Sequence, residues 1–90
     1  MKTLQVTKRF KKDVKKLKTQ GKQLGKLKDI IDALCAGNDL ETKYRDHKLI
    51  GNYKNARECH IESDWLLIYE TSEHIVKLRR TGSHSELFKL

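Results

Sequence analysis

Proline is missing from this 90-residue chain, glycine occurs five times and cysteine twice. With so few breakers outside obvious turns, nothing reads as a linker or a disordered tail. The length leaves room for one domain, 1–90, with one modest core. No N-terminal apolar stretch resembles a signal peptide, because Lys and Arg interrupt every run. No segment approaches the roughly 20 apolar residues of a membrane span, so no membrane partner is expected. The chain reads as cytoplasmic and reduced, with Cys35 and Cys59 as free thiols. Acidic residues are also in short supply, 12 against 20 basic ones, for a net charge of +8. The shortage is local. Residues 1–30 hold eleven basic residues and two acidic ones (Asp13, Asp29), a net of +9; the rest hold nine against ten, a net of −1. Such polarity suits an anionic partner: nucleic acid, a membrane surface or an acidic protein. The plainer alternative is a solvated lysine face kept for solubility.

What is present alternates between two periods. Residues 2–6 read as a short edge strand, and Thr7 can cap a helix by accepting from a free N–H. Phe10, Val14 and Leu17 then fall at helical spacing among lysines. Gly21 and Gly25 bracket a turn, and Leu24, Leu27, Ile31 and Leu34 mark a second helix stopped by Gly37-Asn38. The pair should pack as an antiparallel helix hairpin. Residues 38–55 are polar and turn-like, with Tyr44, Leu49, Ile50 and Tyr53 as anchors and a turn at Gly51-Asn52. Strands follow at Ala56–Ile61, Trp65–Glu70 and His74–Thr81, joined by tight turns. Trp65–Tyr69 is apolar on both alternating faces, as a central strand covered on both sides requires. Ser83 can cap a last helical turn. The order β-α-α-β-β-β predicts an α+β fold, its helix pair on one face of a mainly antiparallel, twisted sheet. The other face, partly open, is where chemistry is expected.

Histidines sit where these strands begin, end or turn. His47 precedes the first hairpin, His60 ends its first strand and Asp64 opens its second, so His60 and Asp64 can face one another. Arg80 ends the last strand, with His84 and Phe88 just beyond; pairing can bring them to the Asp64 end or leave them at the far edge. If they converge, His47, His60, Asp64, Arg80 and His84 have the parts for RNA cleavage by its own 2′-hydroxyl. Histidine can take the 2′ proton and return one to the 5′-oxygen. Arginine stabilises charge on the phosphoryl oxygens, and a carboxylate orients a histidine. Phe88 can stack on an unpaired base. The bland readings are surface histidines, a turn aspartate, a solvated arginine and a core Phe88; Trp65 fits the core better than a base. A metal site is the competing chemistry, from Cys59-His60 with Asp64, His84 or His47. Neighbours in a strand point to opposite faces, however, and no CxxC or HExxH spacing occurs, so no metal or cofactor is expected. Cys59 then packs as a small hydrophobe opposite His60.

Three ordered segments resemble a known family. Tyr44–Tyr53 carries Asp46-His47-Lys48-Leu49-Ile50-Gly51, similar to DHxLxG followed by an aromatic. Arg57–Tyr69 resembles a hairpin with His60, Asp64 and Tyr69 at the family's spacing; the proline often found before its aspartate is here Ser63. Arg80–Phe88 is similar to R-x-G-[ST]-H-x-x-L-F. On these the chain is identified as resembling the YafQ branch of the RelE superfamily of type II toxins. The resemblance implies a metal-independent ribonuclease that cuts mRNA in the ribosomal A site. It also implies a cognate antitoxin, with operator DNA reached only through the antitoxin complex. It carries His47, His60, Asp64 and His84 into the acid–base and orienting group, with His84 favoured as general acid and His60 or Asp64 on the base side. Arg80 would hold the scissile phosphate, Phe88 a nucleotide, and Trp65 matches a further position of interest. Lys8, Lys11, Lys12 and Lys15 would dock on ribosomal RNA or receive an acidic antitoxin segment. A non-catalytic nucleic-acid-binding or protein-poisoning member of the superfamily is the alternative.

Overall fold

One residue ends the first strand and starts the first helix. The Thr7 amide donates to the Leu78 carbonyl (3.2 Å), its hydroxyl donates to the Arg79 carbonyl (3.0 Å), and the same oxygen accepts the Phe10 N–H (3.0 Å). The cap expected at Thr7 is therefore made, and it is welded to a strand far away in sequence. The computed structural model describes residues 1–49 and 55–88. Along them run β1 (Thr3–Val6), α1 (Lys8–Thr19), α2 (Leu24–Cys35), a 3-10 turn (Thr42–Tyr44) and β2 (His47–Lys48). β3 (Arg57–Glu62), β4 (Trp65–Thr71), β5 (Ile75–Gly82) and α3 (His84–Leu87) follow.

The helices form as their apolar stripes predict. α1 buries Phe10 and Leu17, and α2 buries Leu27, Ile30, Leu34 and Cys35. Gly25 lies inside the first turn of α2, which begins at Leu24; only Gly21, with φ +76°, belongs to the connection. Gly37 stops α2 as expected. At φ +78° it donates to the Leu34 carbonyl while Asn38 donates to that of Ala33, which satisfies two otherwise orphaned acceptors.

The sheet order is β1-β5-β4-β3-β2, with β1 parallel to β5 and the other pairs antiparallel. β4 is the middle strand, and its run Trp65–Tyr69 is buried on both faces. On one face Cys59, Ile61, Trp65, Leu67, Tyr69, Val76 and Leu78 pack against the helices. On the other, Ala56, Leu66 and Ile68 are covered by Leu87 of α3, with Leu49 and Phe88 at the margin. That second face is only partly roofed, as expected, and is the open face below. β2 was not foreseen. It adds a two-residue edge within the polar segment, pairing His47 with Glu58 and Lys48 with Arg57. The predicted turn at Gly51-Asn52 and the anchors Ile50 and Tyr53 lie outside the described residues.

Candidate active site

Residues paired across a sheet stand on the same face. Ile68 and Leu66 lie on the open face, so their partners do too. Ile68 pairs with Glu58 on one side and Arg80 on the other, and Glu58 pairs with His47. Leu66 pairs with His60 on one side and Gly82 on the other. The open face thus carries two rows, His47–Glu58–Ile68–Arg80 and His60–Leu66–Gly82. At two strand spacings, the backbones of His60 and Gly82 are about 10 Å apart.

Directly after Gly82 the chain turns into α3 and folds over this face. Ser83 and Glu86 form a reciprocal capping box: the Ser83 hydroxyl accepts the Glu86 N–H (3.2 Å), and the Glu86 carboxylate accepts the Ser83 N–H (3.0 Å). Lys16 of α1 pairs with the same carboxylate, and these contacts, Lys16 first, pull its pKa down to about 2. Gly82 turns the chain at φ +156°, a conformation that L side chains rarely adopt, and an added Cβ would press on Glu86 Oε1 at 3.3 Å. Asp64, in the β3–β4 turn, accepts the His84 backbone N–H at 2.9 Å. Asp64 thereby fixes the start of α3, not the ring of His60 that the hairpin suggested. His84 is exposed, with its ring 5.0 Å from that of Phe88 and tilted by 43°.

His47 and His60 form the opposing group, their ring centroids 6.3 Å apart. His47 Nδ1 lies 2.7 Å from the Arg45 carbonyl. A carbonyl can only accept, so Nδ1 carries the proton and Nε2 holds the lone pair of the neutral ring. His60 Nε2 lies 3.3 Å from Oε1 of the buried Glu58, which leaves Nδ1 as its basic nitrogen when the ring is neutral. Glu58 was missed by the sequence reading. Its signal was the strand period, because a residue two before His60 shares its face. Asp46 sets where β2 begins, accepting from Arg57 Nε (3.1 Å) and the Tyr69 hydroxyl (2.7 Å).

Arg80 takes the register position beside Ile68, next to the bulge where the β4–β5 pairing shifts, and its guanidinium is tied to α1. Asp13 accepts from its Nε (2.7 Å) and Nη2 (3.2 Å) and from the Thr81 amide (3.1 Å). Lys8, Lys11, Lys12 and Lys15 are all exposed along α1. Trp65 requires a correction. It is 0% exposed in the helix-side core, with Nε1 donating to Thr81 Oγ1 at 2.9 Å, so its ring cannot take a nucleotide. Cys59 is buried opposite His60, and burial pushes its thiol up to about 12, so it packs as a hydrophobe. Among the described residues no group of three or more His, Cys, Asp or Glu is arranged to hold an ion. What the open face does offer is imidazoles on opposite sides of Leu66 and an aromatic ring, with a guanidinium tethered to α1 nearby.

A family model described as the bacterial toxin of type II toxin–antitoxin systems, YafQ, matches residues 2–89. The mRNA interferase toxin YafQ of Escherichia coli K12 is 38% identical over 80 residues, 88% of this chain and 87% of its own. The E. coli DinJ–YafQ toxin–antitoxin complex superimposes with a TM-score of 0.91 at 34% identity, over 97% of each chain. A metal-bound toxin from Helicobacter pylori gives a TM-score of 0.91 at 42% identity, over 98% of this chain and all of that one.

Proposed function

The chain belongs to the YafQ family, toxins of type II toxin–antitoxin systems that act as mRNA interferases, and on that premise we propose that it cuts messenger on the ribosome by 2′-hydroxyl attack. The observation that carries the reading is the flanking of Leu66 by His60 on one side and Gly82-Ser83-His84 on the other. An in-line displacement at phosphorus needs a base and an acid on opposite sides of the phosphate. His47 Nε2 or His60 Nδ1 removes the 2′ proton. The 2′-oxygen bonds to phosphorus, the bond to the 5′-oxygen breaks, and His84 protonates that leaving oxygen. The products are a 2′,3′-cyclic phosphate and a 5′-hydroxyl. Arg80 stabilises charge on the phosphoryl oxygens. Phe88 stacks on a base, worth about 1–3 kcal/mol. Asp64 serves as a positioning group for His84.

Proton transfer and charge stabilisation are both supplied by side chains, so the reaction is read as metal-independent. The protein works in the bacterial cytoplasm. Its partner in the silent state is a cognate antitoxin, as DinJ is for the E. coli relative, and operator DNA is reached only through that complex. Induction in growing bacteria, followed by mapping of mRNA 5′ ends, tests the reading. Growth arrest with in-frame cuts inside translated codons is expected, as is cutting on intact ribosomes at fixed magnesium by toxin that has first been treated with a chelator and freed of it. Arrest without such cuts, or cutting lost on that treatment and restored by adding back a transition metal, overturns it.

The exposed lysines of α1 supply the docking charge. Replacing Lys8, Lys11, Lys12 and Lys15 together by glutamine weakens ribosome binding. It also flattens the dependence of log K on log salt by roughly 0.7–0.9 for each lysine that meets a phosphate. A slope identical to wild type would make these lysines a solvated face only.

A further inference from the structure

α1 carries seven basic residues and one acid, Asp13. That acid turns away from its lysine neighbours and into the sheet. Its side chain is 11% exposed, and it receives three hydrogen bonds from β5: Arg80 Nε, Arg80 Nη2 and the Thr81 amide. β1 pairs with β5 only as far as Leu78, so Asp13 takes over where the ladder ends. We propose that Asp13 is a positioning residue for RNA cleavage, holding the Arg80 guanidinium by one edge so that it meets the scissile phosphate in a fixed orientation. The inference rests on the reading of Arg80 as the phosphate clamp.

Arginine has five N–H donors in a rigid fork, and Asp13 engages two of them along one edge. A planar group held on one edge keeps its plane and its distance from the sheet without searching rotamers. The surroundings favour such a hold. A cleft of about 290 Å³ beside it is lined by Arg9, Lys12, Lys16 and Glu86 as well as Arg80 and Asp13. Glu86 pairs with Lys16, and Arg9 and Lys12 repel an untethered guanidinium. The tether also belongs to a larger brace. Three residues on, Lys16 on the same helix holds Glu86, whose capping box seats His84. One face of α1 thus fixes both the clamp and the acid.

The test is cleavage of ribosome-bound messenger under single-turnover conditions, as maximal rate and half-saturating toxin concentration. It compares wild type, Asp13→Asn, Asp13→Glu, Arg80→Ala and the double variant Asp13→Asn/Arg80→Ala, each assayed well below its own melting midpoint. Asp13→Asn can still accept the Thr81 N–H but loses the charged fork. It is expected to lower the maximal rate by about 10–100-fold, as misplacement of a reacting group does, with half-saturation little changed. Asp13→Glu, which keeps the charge, recovers most of the rate. In the Arg80→Ala background the Asp13 change adds no further loss, because Asp13 acts only through Arg80. A wild-type rate in Asp13→Asn, or an equal further loss on top of Arg80→Ala, overturns the inference while leaving the clamp standing. A wild-type rate in Arg80→Ala instead removes the clamp itself.

Discussion

Replacing His84 by alanine is expected to slow messenger cleavage by about 10²–10⁴-fold, the usual worth of a positioned acid or base. The loss will be chemical, because the ring is dispensable to the fold. His84 is exposed, and what seats α3 is its backbone N–H on Asp64 together with the Ser83–Glu86 box and the burial of Leu87. The stability change should stay within about 0.5 kcal/mol, as for other surface substitutions. Antitoxin binding should survive. A substrate with sulfur in place of the bridging 5′-oxygen separates acid from base, since a thiolate leaves without a proton. It restores the rate of His84→Ala if His84 is the acid. It leaves His47→Ala and His60→Ala slow if those serve the 2′-hydroxyl. Undiminished arrest and in-frame cutting by His84→Ala would remove the residue from the chemistry altogether.

Trp65→Ala should cost about 3–5 kcal/mol, the range for deleting a large buried aromatic. Proteins of this kind have only about 5–15 kcal/mol to lose. At roughly 4–8 °C per kcal/mol for a domain of this size, the melting midpoint falls by tens of degrees. Toxicity will fall with the share of folded protein. Trp65→Phe separates the causes. It keeps most of the buried ring and loses only the Nε1 bond to Thr81, whose hydroxyl still donates to the Leu66 carbonyl at 2.8 Å. That variant folds with a lower midpoint and cuts at the wild-type rate per folded molecule. A well-folded Trp65→Phe that no longer cuts would restore the nucleotide-contact reading.

The elements legible in the sequence are those whose burial follows a period. Phe10, Val14 and Leu17 announce α1, and Trp65–Tyr69 announces a strand covered twice, because in both the pattern is the packing. Where burial is not periodic the sequence is silent. β2 is two residues long, too short to show alternation, yet its pairing sets His47 beside Glu58 and within 6.3 Å of the His60 ring. Gly25 looked like turn chemistry, but glycine is tolerated in a first helical turn where Leu24 and Leu27 supply the burial. The candidate site residues were legible by type and place, whereas their partners were not. Asp64 was expected to serve His60 and instead holds His84 by its backbone. Asp13 was counted only as one of two acids in a basic segment, and a contact across 67 positions leaves no trace in local spacing.

The parallel pairing of β1 with β5 has a consequence for how the toxin comes into being. Thr3 must wait for Ile75 before it has a neighbour, and Thr7 for Leu78 and Arg79. A ribosome making this chain emits both long helices, apolar faces uncovered, well before β5 emerges to close the sheet against them. Contacts so distant in sequence form slowly, and unclosed intermediates stick to other surfaces. Arg80 and His84 are made later still.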